Sequence, residues 1–155
     1  MIRTGKRLRL CGALLIANLA FIWGNSLLSA EVSKALSDWL QSILSGLTSG
    51  GTGGGTGGSG LLRKVAHFAE FGTLGFLLGW LLGMLKRKVL WAFPLSVAAA
   101  LIDEGLQFLA PERGPGIRDV CIDAAGAAAG IGLLLFGHYV IKNRKQFIHT
   151  GGKSK

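Results

Sequence analysis

Between Leu10 and Ala30, and again between Ala124 and Ile141, the chain has no aspartate, glutamate, lysine or arginine. Runs of about 18 or more apolar residues are long enough to cross a hydrocarbon core. With half of its 155 residues hydrophobic and a positive mean hydropathy, the chain is too apolar for an ordinary soluble domain of its size. Other absences narrow the chemistry. The two cysteines, Cys11 and Cys121, would lie near opposite membrane faces in a four-span topology and are expected not to pair. There is no HExxH pair and no cysteine–histidine framework, so metal binding has little motif support. No GxSxG elbow occurs, which leaves nucleophilic serine chemistry without its usual scaffold. No internal repeat of the kind that builds secondary transporters is visible.

Two more apolar stretches reach spanning length only with their polar ends included. The charge-free parts Phe71 to Leu85 and Val89 to Ile102 are short, so spans over 65–85 and 89–109 carry ionisable groups into the membrane. The expected architecture is all-α: an integral membrane four-helix bundle with spans at about 10–30, 65–85, 89–109 and 119–141. The basic start before the first apolar run could be a signal peptide, but the run is long for one and an uncleaved anchor is expected. Over 31–47, Val32, Ala35, Leu36, Trp39, Leu40, Ile43, Leu44 and Leu47 recur at helical spacing opposite Glu31, Lys34, Asp38 and Gln41. That pattern predicts an outer amphipathic helix. Residues 50–60 are only Gly, Ser and Thr, which predicts a flexible linker with a reach of roughly 20 Å. No Lys-Ser or Lys-Thr follows them, so they are no phosphate-binding loop. Pro94 predicts a kink in the third span, and the basic tail beyond Ile141 is expected to be irregular.

The net charge of +9 does not point to nucleic acid, because the cations are grouped. Arg3, Lys6, Arg7 and Arg9, then Lys86 to Lys88, then Lys142, Arg144 and Lys145 occupy three places that share one side of a four-span chain. The positive-inside rule makes that side, and both termini, cytoplasmic. All eight acidic residues then lie toward the opposite side.

The acids that interrupt the apolar segments are the functional suspects, because ionisable groups at membrane depth are costly. At 1.5 Å per residue, Asp103 lies about 21 Å from Val89, Glu70 about 22 Å from Leu85 and Asp123 about 27 Å from Ile141. Three helices therefore hold carboxylates at similar heights in a core about 30 Å thick. Asp103, Glu104 and Gln107 fall within an arc of about 100°. His67 and Glu70 are neighbours on the second span, as are Asp119 and Asp123 on the fourth. The Asp119 face continues into Gly126 and Gly130, a stripe that permits close packing, so the acids are expected to face the bundle interior. Gly75, Gly79 and Gly83 predict a matching seam on the second span. Arg63, Lys64, Arg113 and Arg118 stand at the same end as counter-charges. Such acids must be salt-bridged, hydrated, protonated or cation-bound. The candidate binding set is His67, Glu70, Asp103, Glu104, Gln107, Arg113, Arg118, Asp119 and Asp123, with His67 and Glu104 as candidates for acid–base work. No cofactor is expected, and a divalent metal on these donors is a weak expectation. An ion-pair network that only pins the helices together is the plainer alternative.

Lys64-Val-Ala-His67-Phe68-Ala-Glu70-Phe71-Gly72 resembles a motif of the VanZ-like family of small bacterial membrane proteins. Asp103-Glu104 with Gln107, Phe108, Pro111 and Arg113, and Arg118-Asp119-Val120 with Asp123, Gly126 and Gly130, match the same family in order and spacing. Trp23 with Ser26, Ser33 and Ser37 is a fainter match. The chain departs from the family pattern in its glycine tract, at Glu112, and at Gly114-Pro115-Gly116. The resemblance implies a multi-pass protein of the bacterial cell membrane and envelope; its namesake is associated with resistance to the glycopeptide teicoplanin. Together with the acids, it leads to an expected function: binding or modulating an envelope lipid or cell-wall precursor through a polar pocket at the extracytoplasmic face. A membrane-embedded hydrolase or transferase using His67 and Glu104 is the alternative. Membrane lipid and a lipid-linked precursor are the expected partners.

Overall fold

In the computed structural model, residues 2–28, 31–32, 35, 38–39, 42–43, 58–110 and 116–151 are described. Helix α1 covers Ile2–Ser26, α2 Gly58–Met84, α3 Ala92–Gln107 and α4 Ile117–Gly151. No strand occurs among the described residues. Four helical stretches, Gly5–Ser26, Leu61–Met84, Val89–Gln107 and Ile117–Arg144, are long and apolar enough to cross a membrane. These agree with the four expected spans to within a few residues. The amphipathic segment over 31–47 and the loop 111–115, with Arg113, fall largely or wholly outside the described residues. So does the glycine tract up to residue 57; Gly58 to Gly60, expected in the linker, are the first residues of α2.

Local chemistry accounts for where the helices start and stop. Pro94 sits in the first turn of α3, just after a 3-10 turn at Val89–Trp91. Its missing N–H has no intrahelical partner to lose there, so it marks the helix entry where a kink was expected. At the C-terminus of α2, Arg87 N–H donates to Leu82 O at 2.8 Å and Lys86 N–H to Gly83 O at 3.1 Å. This is a Schellman closure, and its left-handed position is filled by Lys86 at φ 56°, where glycine is the usual occupant. Lys86→Gly is therefore expected to raise stability by about 0.5–1 kcal/mol, measured by thermal unfolding in detergent; an unchanged or lower midpoint contradicts it. Helix α4 continues to Gly151 where an irregular tail was expected, because no proline or glycine interrupts Lys142 to Thr150 and lysine, arginine and glutamine favour helix.

Helices α2 and α4 make the most extensive contact of the bundle. Their approach is set by glycine. A Cβ on Gly126 would overlap the Phe68 carbonyl oxygen, and one on Gly130 would overlap the carbonyl of Gly72. A Cβ on Gly75 would meet the backbone of Ala127. The seam on α2 is thus Gly72 and Gly75; Gly79 faces side chains of Leu134 and Val89, and at Gly83 a Cβ would make only an ordinary contact with Val89. Ile22, Phe71, Leu74, Ala99 and Ala100 form the apolar centre, with Leu19, Trp23, Leu78 and Val120 against it. The outward apolar side chains, among them Ile16, Phe21, Leu101, Leu133 and Phe136, are exposed, as expected of surfaces that meet acyl chains.

Candidate functional site

At the end of the bundle where α1 stops and α4 begins, the apolar centre gives way to buried polar groups. His67, Asp103, Glu104, Gln107, Asp123 and Ser26 are all buried, Asp103 and Asp123 completely. Each helix contributes. From α1, Ser26 donates to Asp103 Oδ1 at 2.6 Å, and the Asn25 side chain hydrogen-bonds Glu70. From α2 come His67 and the half-buried Glu70, one turn apart. From α3, Gln107 Nε2 donates to Glu104 Oε1 at 3.1 Å and reaches Asp103 Oδ2 at 3.5 Å. From α4, Asp123 Oδ1 lies 3.5 Å from His67 Nδ1.

The members divide by how well they are satisfied. Glu104 uses both oxygens, since its Oε2 accepts the Gly116 N–H at 2.7 Å. That bond ties α3 to the residue immediately before α4, and a charge-assisted bond of this type is worth roughly 1.5–3 kcal/mol. Asp103 is held by Ser26 and Gln107. By contrast, both oxygens of Asp123, Nδ1 of His67 and Oε2 of Glu70 are buried with no hydrogen-bond partner among the described residues. Buried polar atoms are almost always paired, so these stand out. One donor atom each from His67, Asp103 and Asp123 lies within 4.8 Å of the other two.

The remaining expected residues are placed differently. Asp119 lies in the first turn of α4 and pairs with Arg63 at 3.6 Å on the partly exposed rim. A carboxylate there complements the helix dipole, and an exposed pair of this kind contributes about 0–1 kcal/mol. Arg118 is exposed. Cys11 and Cys121 are both unpaired, one buried and one exposed, as expected. Sequence reasoning assigned no role in the site to Asn25 and left Ser26 as a faint motif position. The signal was present: Asn18 and Asn25 are seven apart, hence on one face of α1, and Ser26 ends an apolar run. Asn18 Oδ1 is a further buried atom with no hydrogen-bond partner among the described residues.

The arrangement is therefore a polar centre inside the apolar bundle, near one end, with Phe71 and Ile22 in the packed core alongside. Well-bonded members stand in it beside three that are under-bonded, a distribution suited to holding a ligand with donor or cationic atoms. No curated protein and no solved structure matches the chain. A family model described as VanZ/LLP1 matches residues 11–139, a stretch that takes in the second and third spans whole, most of the first and fourth, and every described residue of the centre. With helices and motifs in agreement, this multi-pass membrane protein belongs to the VanZ/LLP1 family.

Proposed function

We propose that the protein acts in the bacterial cell envelope by binding or modulating an envelope lipid or cell-wall precursor, whose polar or charged head group enters the acidic centre from the extracytoplasmic face. The observation that carries this reading is the set of buried atoms on Asp123, His67 and Glu70 that have no hydrogen-bond partner among the described residues. A network serving only to pin helices would satisfy its members, because each buried orphan costs about 1–3 kcal/mol. Orientation follows from charge: the basic clusters at Arg3 to Arg9, Lys86 to Lys88 and Lys142 to Lys145 favour cytoplasmic termini, which puts the acidic centre near the outer surface. A contribution to glycopeptide resistance belongs to the same reading, since sequestering or altering a precursor changes what a glycopeptide can reach.

A second reading, a membrane hydrolase or transferase, has the His67–Asp123 contact of 3.5 Å in its favour, because a carboxylate beside an imidazole is an acid–base pair. It favours Asp123 over Glu104 as the partner of His67, since Glu104 is engaged by Gln107 and Gly116. The test is a series of Asp103→Asn, Asp123→Asn and His67→Gln in cells, with protein levels monitored. The head-group reading expects each to lose both co-purifying envelope lipid and any glycopeptide tolerance the wild type confers. If all three retain wild-type lipid and phenotype at equal abundance, the reading fails; turnover of a lipid-linked substrate by the purified wild type replaces it with the enzyme reading.

A further inference from the structure

We infer that His67, Asp103 and Asp123 form a binding site for a first-row divalent cation, Zn2+ or Mn2+, set between α2, α3 and α4. Three helices each offer one ligand atom, and the three atoms lie within 4.8 Å of one another. A proximity of this kind in acids alone would mean little. What distinguishes the trio is that His67 is only 6% exposed and Asp123 0%, while His67 Nδ1 and both Asp123 oxygens have no hydrogen-bond partner among the described residues. His67 Nδ1 and Asp123 Oδ1 approach each other to 3.5 Å without hydrogen-bond geometry. A tetrahedral ion with bonds of about 2.0–2.1 Å needs ligand atoms about 3.3 Å apart, and the His67–Asp123 pair stands at 3.5 Å.

Charge and donor type support the assignment. Two carboxylates buried at membrane depth need compensation, and among the described residues no lysine or arginine pairs with either; Arg63 is on Asp119. A divalent ion balances the two charges. An imidazole with carboxylates and no thiolate suits zinc or manganese better than a soft ion such as Cu(I). Asp103 already has outer partners in Ser26 and Gln107, the kind of support that orients a ligating carboxylate. Three protein ligands leave a position open for an exogenous oxygen, and Glu70, one turn from His67, brings a further buried oxygen without a hydrogen-bond partner among the described residues. The inference shares residues with the head-group reading but not its ligand, so the two can fail separately.

The experiment uses the full chain purified in detergent, stripped with a chelator, re-isolated and titrated with Zn2+ alone and Mn2+ alone. Metal content and thermal midpoint are read together. The expected result is one equivalent of one of these ions per chain, with a raised midpoint. His67→Gln and Asp123→Asn should each weaken binding by more than about 100-fold and Ser26→Ala by about 10-fold, while His138→Gln, at an exposed histidine far along α4, should leave it unchanged. If one variant fails to fold, as the stripped protein's melting curve shows, the others carry the comparison. Stoichiometric binding of neither ion by the wild type, or full binding retained by folded His67→Gln and Asp123→Asn, overturns the site. Ion binding without any bound lipid would spare this inference and remove the head-group reading; lipid bound by a wild type that takes up neither ion would do the reverse.

Discussion

Gly130→Ala is expected to destabilise the bundle by about 2–3 kcal/mol, the cost of forcing a methyl group into a contact with no room for it. The new Cβ would overlap the Gly72 carbonyl oxygen, with the carbonyl carbon at 2.8 Å and Phe76 N at 3.1 Å. All three are backbone atoms, so no rotamer change relieves the contact and α2 must move away from α4. Gly126→Ala meets the Phe68 carbonyl in the same way and should cost a similar amount. Its consequence for the site should be larger, because Phe68 adjoins His67 and Gly126 lies one turn from Asp123. Gly132→Ala is the control: nothing lies within 4 Å of its Cβ position. Alanine is the better helix former by about 0.8–1 kcal/mol, so this variant should be neutral or stabilising. Chemical unfolding in detergent micelles compares the three. Equal stabilities for Gly130→Ala and Gly132→Ala would mean that α2 and α4 do not approach as described.

Opposite signs are expected for two acids of the same buried centre. Glu104→Ala should lower stability by about 2–4 kcal/mol, since it removes the acceptor of the Gly116 N–H and of Gln107 and leaves both donors without it. Asp123→Asn in the ion-free protein should leave stability unchanged or raise it by about 1 kcal/mol, because the native carboxylate is buried with neither oxygen hydrogen-bonded among the described residues, its neighbour His67 stands 3.5 Å away, and an amide in its place carries no charge to desolvate. The same Asp123→Asn change should abolish whatever the centre binds. Thermal midpoints in detergent, beside the binding assays, decide the matter. A marked loss of stability in ion-free Asp123→Asn would assign that residue to holding the helices together and not to a ligand.

Much of this was legible residue by residue. The four spans follow from runs without charge, and the family from motifs whose order and spacing are specific. That Asp123 turns inward follows from sharing a helical face with Gly126 and Gly130, since the stripe without side chains is the one a neighbour can approach. Other features were not legible. Pro94 reads as a kink until the 3-10 turn before it shows that the helix begins there. Gly79 and Gly83 carry the same spacing signal as Gly75, yet only Gly75 meets backbone, because a four-residue repeat drifts around a helix of 3.6 residues per turn. The nine candidate residues look equivalent on paper; in space Asp119 turns to Arg63 on the rim, Glu104 becomes a tie between α3 and α4, and Arg113 lies outside the described residues.

Composition and periodicity were enough to say that this chain crosses a membrane with helices and that its acids sit at one depth, because hydrophobic length and rise per residue are properties of each segment alone. Which of those acids are satisfied and which are left without partners depends on how α1, α2, α3 and α4 rotate and how closely they pack. Hydrogen bonds between Ser26 and Asp103, or Gly116 and Glu104, join residues far apart in the chain. Their geometry is a product of helix packing, and no local pattern encodes it.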